Sequence, residues 1–155
     1  VVAVAAGIVA APRAVAPPAA IDTALACQAK VVDAVRKAAG GKVFLTFDKM
    51  PSIDGANVSG PAMDRSFIPA RAMSFKCAGA NASFTYNDGR PAVKMDPRER
   101  FQSATTRNCE TQVGTDFAAA SLSASDTAAE YVIGLAANGS AKICTMDHSR
   151  VVSIK

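Results

Sequence analysis

The stretch 72–95, AMSFKCAGANASFTYNDGRPAVKM, constrains the fold more than any other part of the chain. Met73, Phe75 and Cys77 share one face of an extended segment, and Ser74 and Lys76 take the other. Ala82, Phe84 and Tyr86 oppose Ser83 and Thr85 in the same way. Alternation with a period of two residues is what a half-buried strand requires. Asn87-Asp88-Gly89 tolerates positive φ and predicts a reversal into a third strand over 91–95. The expectation is a three-stranded antiparallel meander carrying Cys77 on its buried face. It reads as scaffold rather than chemistry.

At 155 residues the chain suffices for one domain with a substantial core. Half of it is apolar, but much of that is alanine, and aromatic residues are limited to seven phenylalanines and two tyrosines. A core so thin gains from covalent staples. The formal charge of +4 comes from scattered Lys and Arg, without the dense stripe that a nucleic acid would need. Residues 1–20, VVAVAAGIVAAPRAVAPPAA, are an apolar run followed by a Pro/Ala stretch. The run over 1–11 is shorter than the ~20 residues of a membrane-spanning helix. It resembles the hydrophobic part of an export signal, with Ala14-Val15-Ala16 as a small-residue cleavage site. Two expectations stand: a targeting remnant, or an arm that lies on a partner in a larger assembly.

A single α+β domain is expected over 21–155. An amphipathic helix is predicted over 21–41, with Asp22 as N-cap and Gly40-Gly41 as stop. Leu25, Val31, Val32, Val35 and Ala39 form its apolar face, with Cys27 on the same side, and Lys30, Asp33 and Lys37 its polar one. A strand follows over 42–47. Residues 50–71 carry three prolines and no sustained period, which predicts a long loop available to a partner, or a short strand near 66–69. Asp96-Pro97-Arg98-Glu99 has the residue types of a capped helix start, and the helix should run to about residue 103. The period over 116–127 is ambiguous. Thr127-Ala128-Ala129-Glu130 has the residue types of a capping box that opens a helix through residue 137, but Gly134 and Asn138-Gly139 favour instead a hairpin of 131–136 with 141–146, and 150–154 reads as a last strand.

The four cysteines, Cys27, Cys77, Cys109 and Cys144, lie 50, 32 and 35 residues apart, without the paired spacing of a zinc site or a redox dithiol. In an exported chain they make two disulfides, each stabilising by roughly 3–4 kcal/mol through the loop that it closes. Spacing leaves all three pairings open, with Cys27 and Cys144 both suited to reach Cys77. Reduced, buried cysteines acting as small apolar residues are the alternative. His148, flanked by Asp147 and Ser149, is the only histidine. Consecutive residues point in different directions, so D-H-S is no triad and His148 is expected in a surface turn. No metal-ligand spacing and no phosphate-loop or serine-hydrolase motif occurs, so no cofactor, metal or catalytic residue is expected. Three of the five asparagines, Asn57, Asn81 and Asn138, begin N-x-S sequons.

The segment SFKCAGANASFTYNDG, with SASDTAAEY further on, resembles the small periplasmic inhibitors of C-type lysozyme. The resemblance implies a β-barrel with a cysteine-bearing first strand and a serine-rich loop that enters the lysozyme cleft. The chain departs from that pattern where Asp126 follows Ser125 in place of a serine-glycine pair, and in its N-terminal helix. No functional residue carries over.

The expected architecture is therefore an antiparallel sheet, meander plus C-terminal hairpin, packed by the N-terminal helix. The expected function is a non-catalytic structural or linker subunit of an extracytoplasmic or lumenal assembly. Its protein contacts would be made by the arm over 1–20 and the segment over 50–71. A soluble cell-envelope inhibitor or ligand-binding module is the alternative.

Overall fold

The computed structural model describes residues 18–41, 43–93, 109, 119–124, 129–135, 140–147 and 150–155. Among these residues helix α1 (Pro18–Ala39) precedes nine strands in one mixed sheet: β1 (Phe44–Phe47), β2 (Ser52–Asp54), β3 (Asn57–Asp64), β4 (Arg71–Ala78), β5 (Asn81–Tyr86), β6 (Ala119–Ala124), β7 (Ala129–Leu135), β8 (Ala141–Asp147) and β9 (Arg150–Ile154). The strands are ordered β5-β4-β3-β1-β6-β7-β8-β9, with β2 beside β3. All pairings are antiparallel except β1 with β6. The α+β class and the C-terminal hairpin are as expected. Of the expected arm over 1–20, residues 18–20 open α1 instead and 1–17 lie outside the described residues, as do the helix start at Asp96, His148 and Asn138.

Helix α1 begins at Pro18, four residues before the expected cap, so Asp22 lies inside the helix. Proline suits a first turn because the N–H it lacks would have no helical partner there. The helix ends where expected, with Gly40 N–H donating to the Arg36 carbonyl at 2.9 Å. Its buried stripe holds Leu25, Cys27, Val31, Val32, Val35 and Ala39, and also Gln28. Asp33 binds Lys37 and Arg36 on the polar side, where Lys37 is exposed.

Residues 50–71 correct the expectation of a long loop. They fold as β2 and the eight-residue β3 about a tight turn at 55–56, with 65–70 as the connection to β4, so no strand forms near 66–69. Gly60 and Pro61 disguise β3. A Cβ on Gly60 would sit 3.4 Å from the Phe75 ring and from Pro51, so glycine admits the crossing side chain. Pro61 falls between the stretch paired with β2 and the stretch paired with β1, where no ladder bond is asked of its nitrogen. The meander is therefore β3-β4-β5. The expected strand over 91–95 does not form at 91–93, because the Arg90 and Pro91 carbonyls accept hydrogen bonds from Arg71 instead. Residues 94 and 95 lie outside the described residues.

Strand β1 is buried on both faces. Leu45 and Phe47 join the core under α1 with Val31, Val35, Met73 and Phe75, the Phe47 and Phe75 rings meeting edge to face at 5.3 Å. Phe44 faces the other way, into a second cluster with Cys109, Val132, Cys144 and Met146. Each cluster holds one disulfide. Cys27–Cys77 ties α1 to β4 across a Cα–Cα distance of 5.9 Å, and Cys109–Cys144 ties residue 109 to β8 at 6.2 Å. All four cysteines are thus paired, and two disulfides in one small chain fit an oxidising, extracytoplasmic environment. Among the described residues no helix is long and apolar enough to cross a membrane.

Candidate functional site

Because β3, β4 and β5 are consecutive and antiparallel, their ends fall at two corners of the sheet. The hairpins at Gly55 and Gly79 occupy one corner. At the other, the connection 65–70 meets the turn 87–90, since Asp64 pairs with Arg71 and Met73 with Tyr86.

Arg71 joins the two segments at that corner. Its Nε and Nη2 donate to both carboxylate oxygens of Asp88, at 3.1 and 2.9 Å. Nη2 also donates to the Arg90 carbonyl at 3.0 Å, and Nη1 to the Pro91 carbonyl at 3.1 Å. Its guanidinium carbon lies 3.6 Å from the centre of the Tyr86 ring and 4.8 Å from that of Phe67. A planar cation can combine a fork on a carboxylate with stacking between rings, which a lysine cannot. The hydrogen bonds from Arg71, then the backbone N–H of Arg90, hold the Asp88 carboxyl well below the usual carboxylate range. Asp88 in turn raises the Arg71 guanidinium.

A second network anchors the start of the connection. The Tyr86 hydroxyl donates to Asp64 Oδ2 at 2.6 Å, and Asp64 Oδ1 accepts the Ser66 N–H at 3.0 Å. Ser66 Oγ accepts the N–H of Phe44, while Arg65 donates its N–H to the Phe44 carbonyl and its Nε to Thr46 Oγ1. Asp64 and Ser66 are each 1% exposed. Burial, then the bond to Asp64, pushes the Tyr86 phenol far up. Residues 65, 66 and 71 are thereby fixed to three strands, and the loop between them projects Ile68 with 81% of its surface exposed. Ile68 flanks a groove of about 560 Å³, also lined by Phe67, Arg71, Asn87, Asp88 and Arg90. The corner holds a shape, and both its carboxylates are already engaged. Among the described residues no group of three His, Cys, Asp or Glu is placed to hold a metal ion.

Of the residues singled out in the sequence, the cysteines pair away from this corner. Asn57 and Asn81 are exposed at the starts of β3 and β5, on either side of Ala78. The expected partner segment over 50–71 contributes only its last residues to the corner. Sequence reasoning passed over Arg71, Tyr86 and Asp64 as functional candidates, and took Asp88 only as a turn residue. No local spacing marks a cluster whose members meet through three strand registers. No family model, curated protein or solved structure matches the chain. The closed barrel implied by the inhibitor resemblance is not what the described strands form, since their sheet ends at β5 and β9.

Proposed function

We propose that the chain is a non-catalytic, disulfide-stapled subunit of an extracytoplasmic or lumenal assembly that grips a protein partner with the loop between β3 and β4. One observation carries this: an almost fully exposed isoleucine at the tip of a loop whose base is fixed by Arg71, Asp64 and Ser66. A single exposed aliphatic residue on a surface means little. One held by two networks is different, because the loop loses little freedom when it docks. Loops on rigid scaffolds are also where binding residues concentrate.

The test is site-specific photo-crosslinking in the source cell, with benzoylphenylalanine at position 68 and, as control, at the exposed Ser74. A dominant protein adduct from position 68 that is absent from position 74 is expected. Equal labelling from both positions, or none from 68, refutes the proposal. The projecting loop also suits an inhibitor that inserts one side chain into an enzyme cleft. A hydrolase as the adduct, losing activity when bound, selects that second reading.

A further inference from the structure

The two edges of the sheet are built differently. On β9, Ser153 pairs with Thr145 and Val151 with Met146, so Val152 is an extra residue in a bulge. Basic residues stand at both ends of this strand, Arg150 and Lys155. Bulges and charge are the usual means by which an edge is kept from pairing with another chain. Strand β5, NASFTY, has neither charge nor proline, and pairs with β4 in unbroken register over all six residues.

The direction of its free groups follows from one bond. Asn87 N–H donates to the Ala72 carbonyl, so pairing by hydrogen bonds alternates back from there through residues 85, 83 and 81. The N–H and C=O groups of Ala82 and Phe84 therefore point away from β4. Among the described residues no strand lies on that side. Beside this edge runs α1, from Lys30, whose Nζ reaches the Gly79 carbonyl, to Ala38, which lines a groove of about 490 Å³ with Phe84, Tyr86, Arg90, Pro91 and Ala92. The cations along it are Lys30, Lys37 and Arg90, with Arg71 behind, and the acids are Asp33 and Asp88. Both acids are already shared between two cations. Lys37 and Arg90 keep side chains that are 69% and 76% exposed.

We propose that the β5 edge accepts an extended acidic segment of a partner chain as an added strand. The backbone of that segment pairs with Ala82 and Phe84, and its carboxylates meet Arg90 and Lys37. Strand addition takes affinity from main-chain bonds and selectivity from the side chains alongside. An acidic strand answers the cation excess, whereas a basic one would meet like charge. This contact goes beyond the loop at Ile68, and of its residues only Arg90 also lines the groove beside that loop.

The probe is a synthetic, end-capped peptide of about six residues, the length of a common strand, alternating valine or threonine with glutamate and carrying a fluorophore. A lysine counterpart serves as control. Anisotropy with the intact, oxidised chain should show binding of the acidic peptide only, weakened by salt. Ala82→Pro removes an outward N–H without touching the β4 ladder and should weaken binding about tenfold or more. Arg90→Glu, at an exposed side chain, should weaken the acidic peptide and favour the lysine one, and serves if the proline variant does not fold. Ile68→Ser, which removes the apolar tip without adding charge beside Arg90, should leave peptide affinity unchanged, so the edge and the loop can fail separately. Absence of binding, equal binding of both peptides, or full binding to the Pro and Glu variants each overturns the proposal. So does a dimer of the parent chain that Ala82→Pro dissociates, because the occupant is then a second copy.

Discussion

Replacing Gln28 should make this protein more stable. Gln28 has no exposed surface and lies on the stripe of α1 that carries Leu25, Val31, Val32 and Val35. Among the described residues neither its amide nitrogen nor its amide oxygen has a hydrogen-bond partner. A buried polar group left without one costs about 1–3 kcal/mol. Methionine has nearly the same length and flexibility, and the two residues rank together in helix propensity, so Gln28→Met keeps the shape and removes the polar atoms. Two groups at about 1–3 kcal/mol each, less up to about 1.5 kcal/mol for imperfect repacking, leave a gain of at least about 0.5 kcal/mol and, near the middle of the range, of about 2 kcal/mol. In a chain of this size 1 kcal/mol moves Tm by about 2–4 °C, so a rise of about 4–8 °C is expected. Urea unfolding followed by circular dichroism, with both disulfides intact, should show a higher midpoint at unchanged slope. Gln28→Glu should go the other way, because it buries a charge. A Gln28→Met protein no more stable than the parent would refute the reasoning and mean that the amide is satisfied in solution.

Three further outcomes are expected. Replacing Cys27 and Cys77 together by alanine opens a loop of 50 residues; the loop-entropy relation gives a loss of about 4 kcal/mol, and a loss under about 1 kcal/mol in urea unfolding would mean that the staple adds little. The chain has no tryptophan, so Ile68→Trp provides a single reporter of the loop. Its fluorescence anisotropy should be high at neutral pH and fall when Arg71→Met is added. Because Arg71 holds the Asp88 carboxyl below its ordinary value, the bracing is complete above the unfolded carboxylate value of about 4 and is lost as pH falls through the folded one. Anisotropy that stays level into strong acid would contradict this. The Tyr86 phenol is shifted the opposite way, so its stabilisation is complete below the unfolded tyrosine value of about 10 and is lost as pH rises through the folded one. Tyr86→Phe should flatten the alkaline fall in urea midpoint, and an unchanged slope in that variant would show the loss to lie elsewhere.

What could be read from the sequence was what repeats. The stripe of α1, the alternation of β4 and β5, and the antiparallel pairing of β7 with β8 each follow from a local period or turn signal, and each stands in the fold. Strand β3 escaped because Gly60 and Pro61 are loop-like by propensity, and the reason for each residue lies on another strand. Gln28 escaped because nothing local distinguishes a buried glutamine from a solvated one. The segment over 91–93 was misjudged because the carbonyls of Pro91 and of Arg90 just before it are claimed by a side chain about twenty residues earlier. Long-range register, rather than residue type, decided these cases.

The same physics explains why the candidate site was hidden. Asp64, Arg71, Tyr86 and Asp88 have ordinary strand or turn explanations when taken singly. They become one cluster only when β3, β4 and β5 align, since Arg71 stands opposite Asp64 while Tyr86 stands opposite Met73, two residues further along β4. The cluster then immobilises a loop that contains no charged residue between Ser66 and Arg71. Two ring stacks, four hydrogen bonds from one arginine and two buried acceptors are more than a short turn needs merely to reverse the chain. Rigidity at the base of an exposed apolar tip has value when that tip must meet a complementary surface without reorganising, and that is the physical case for placing the partner contact here.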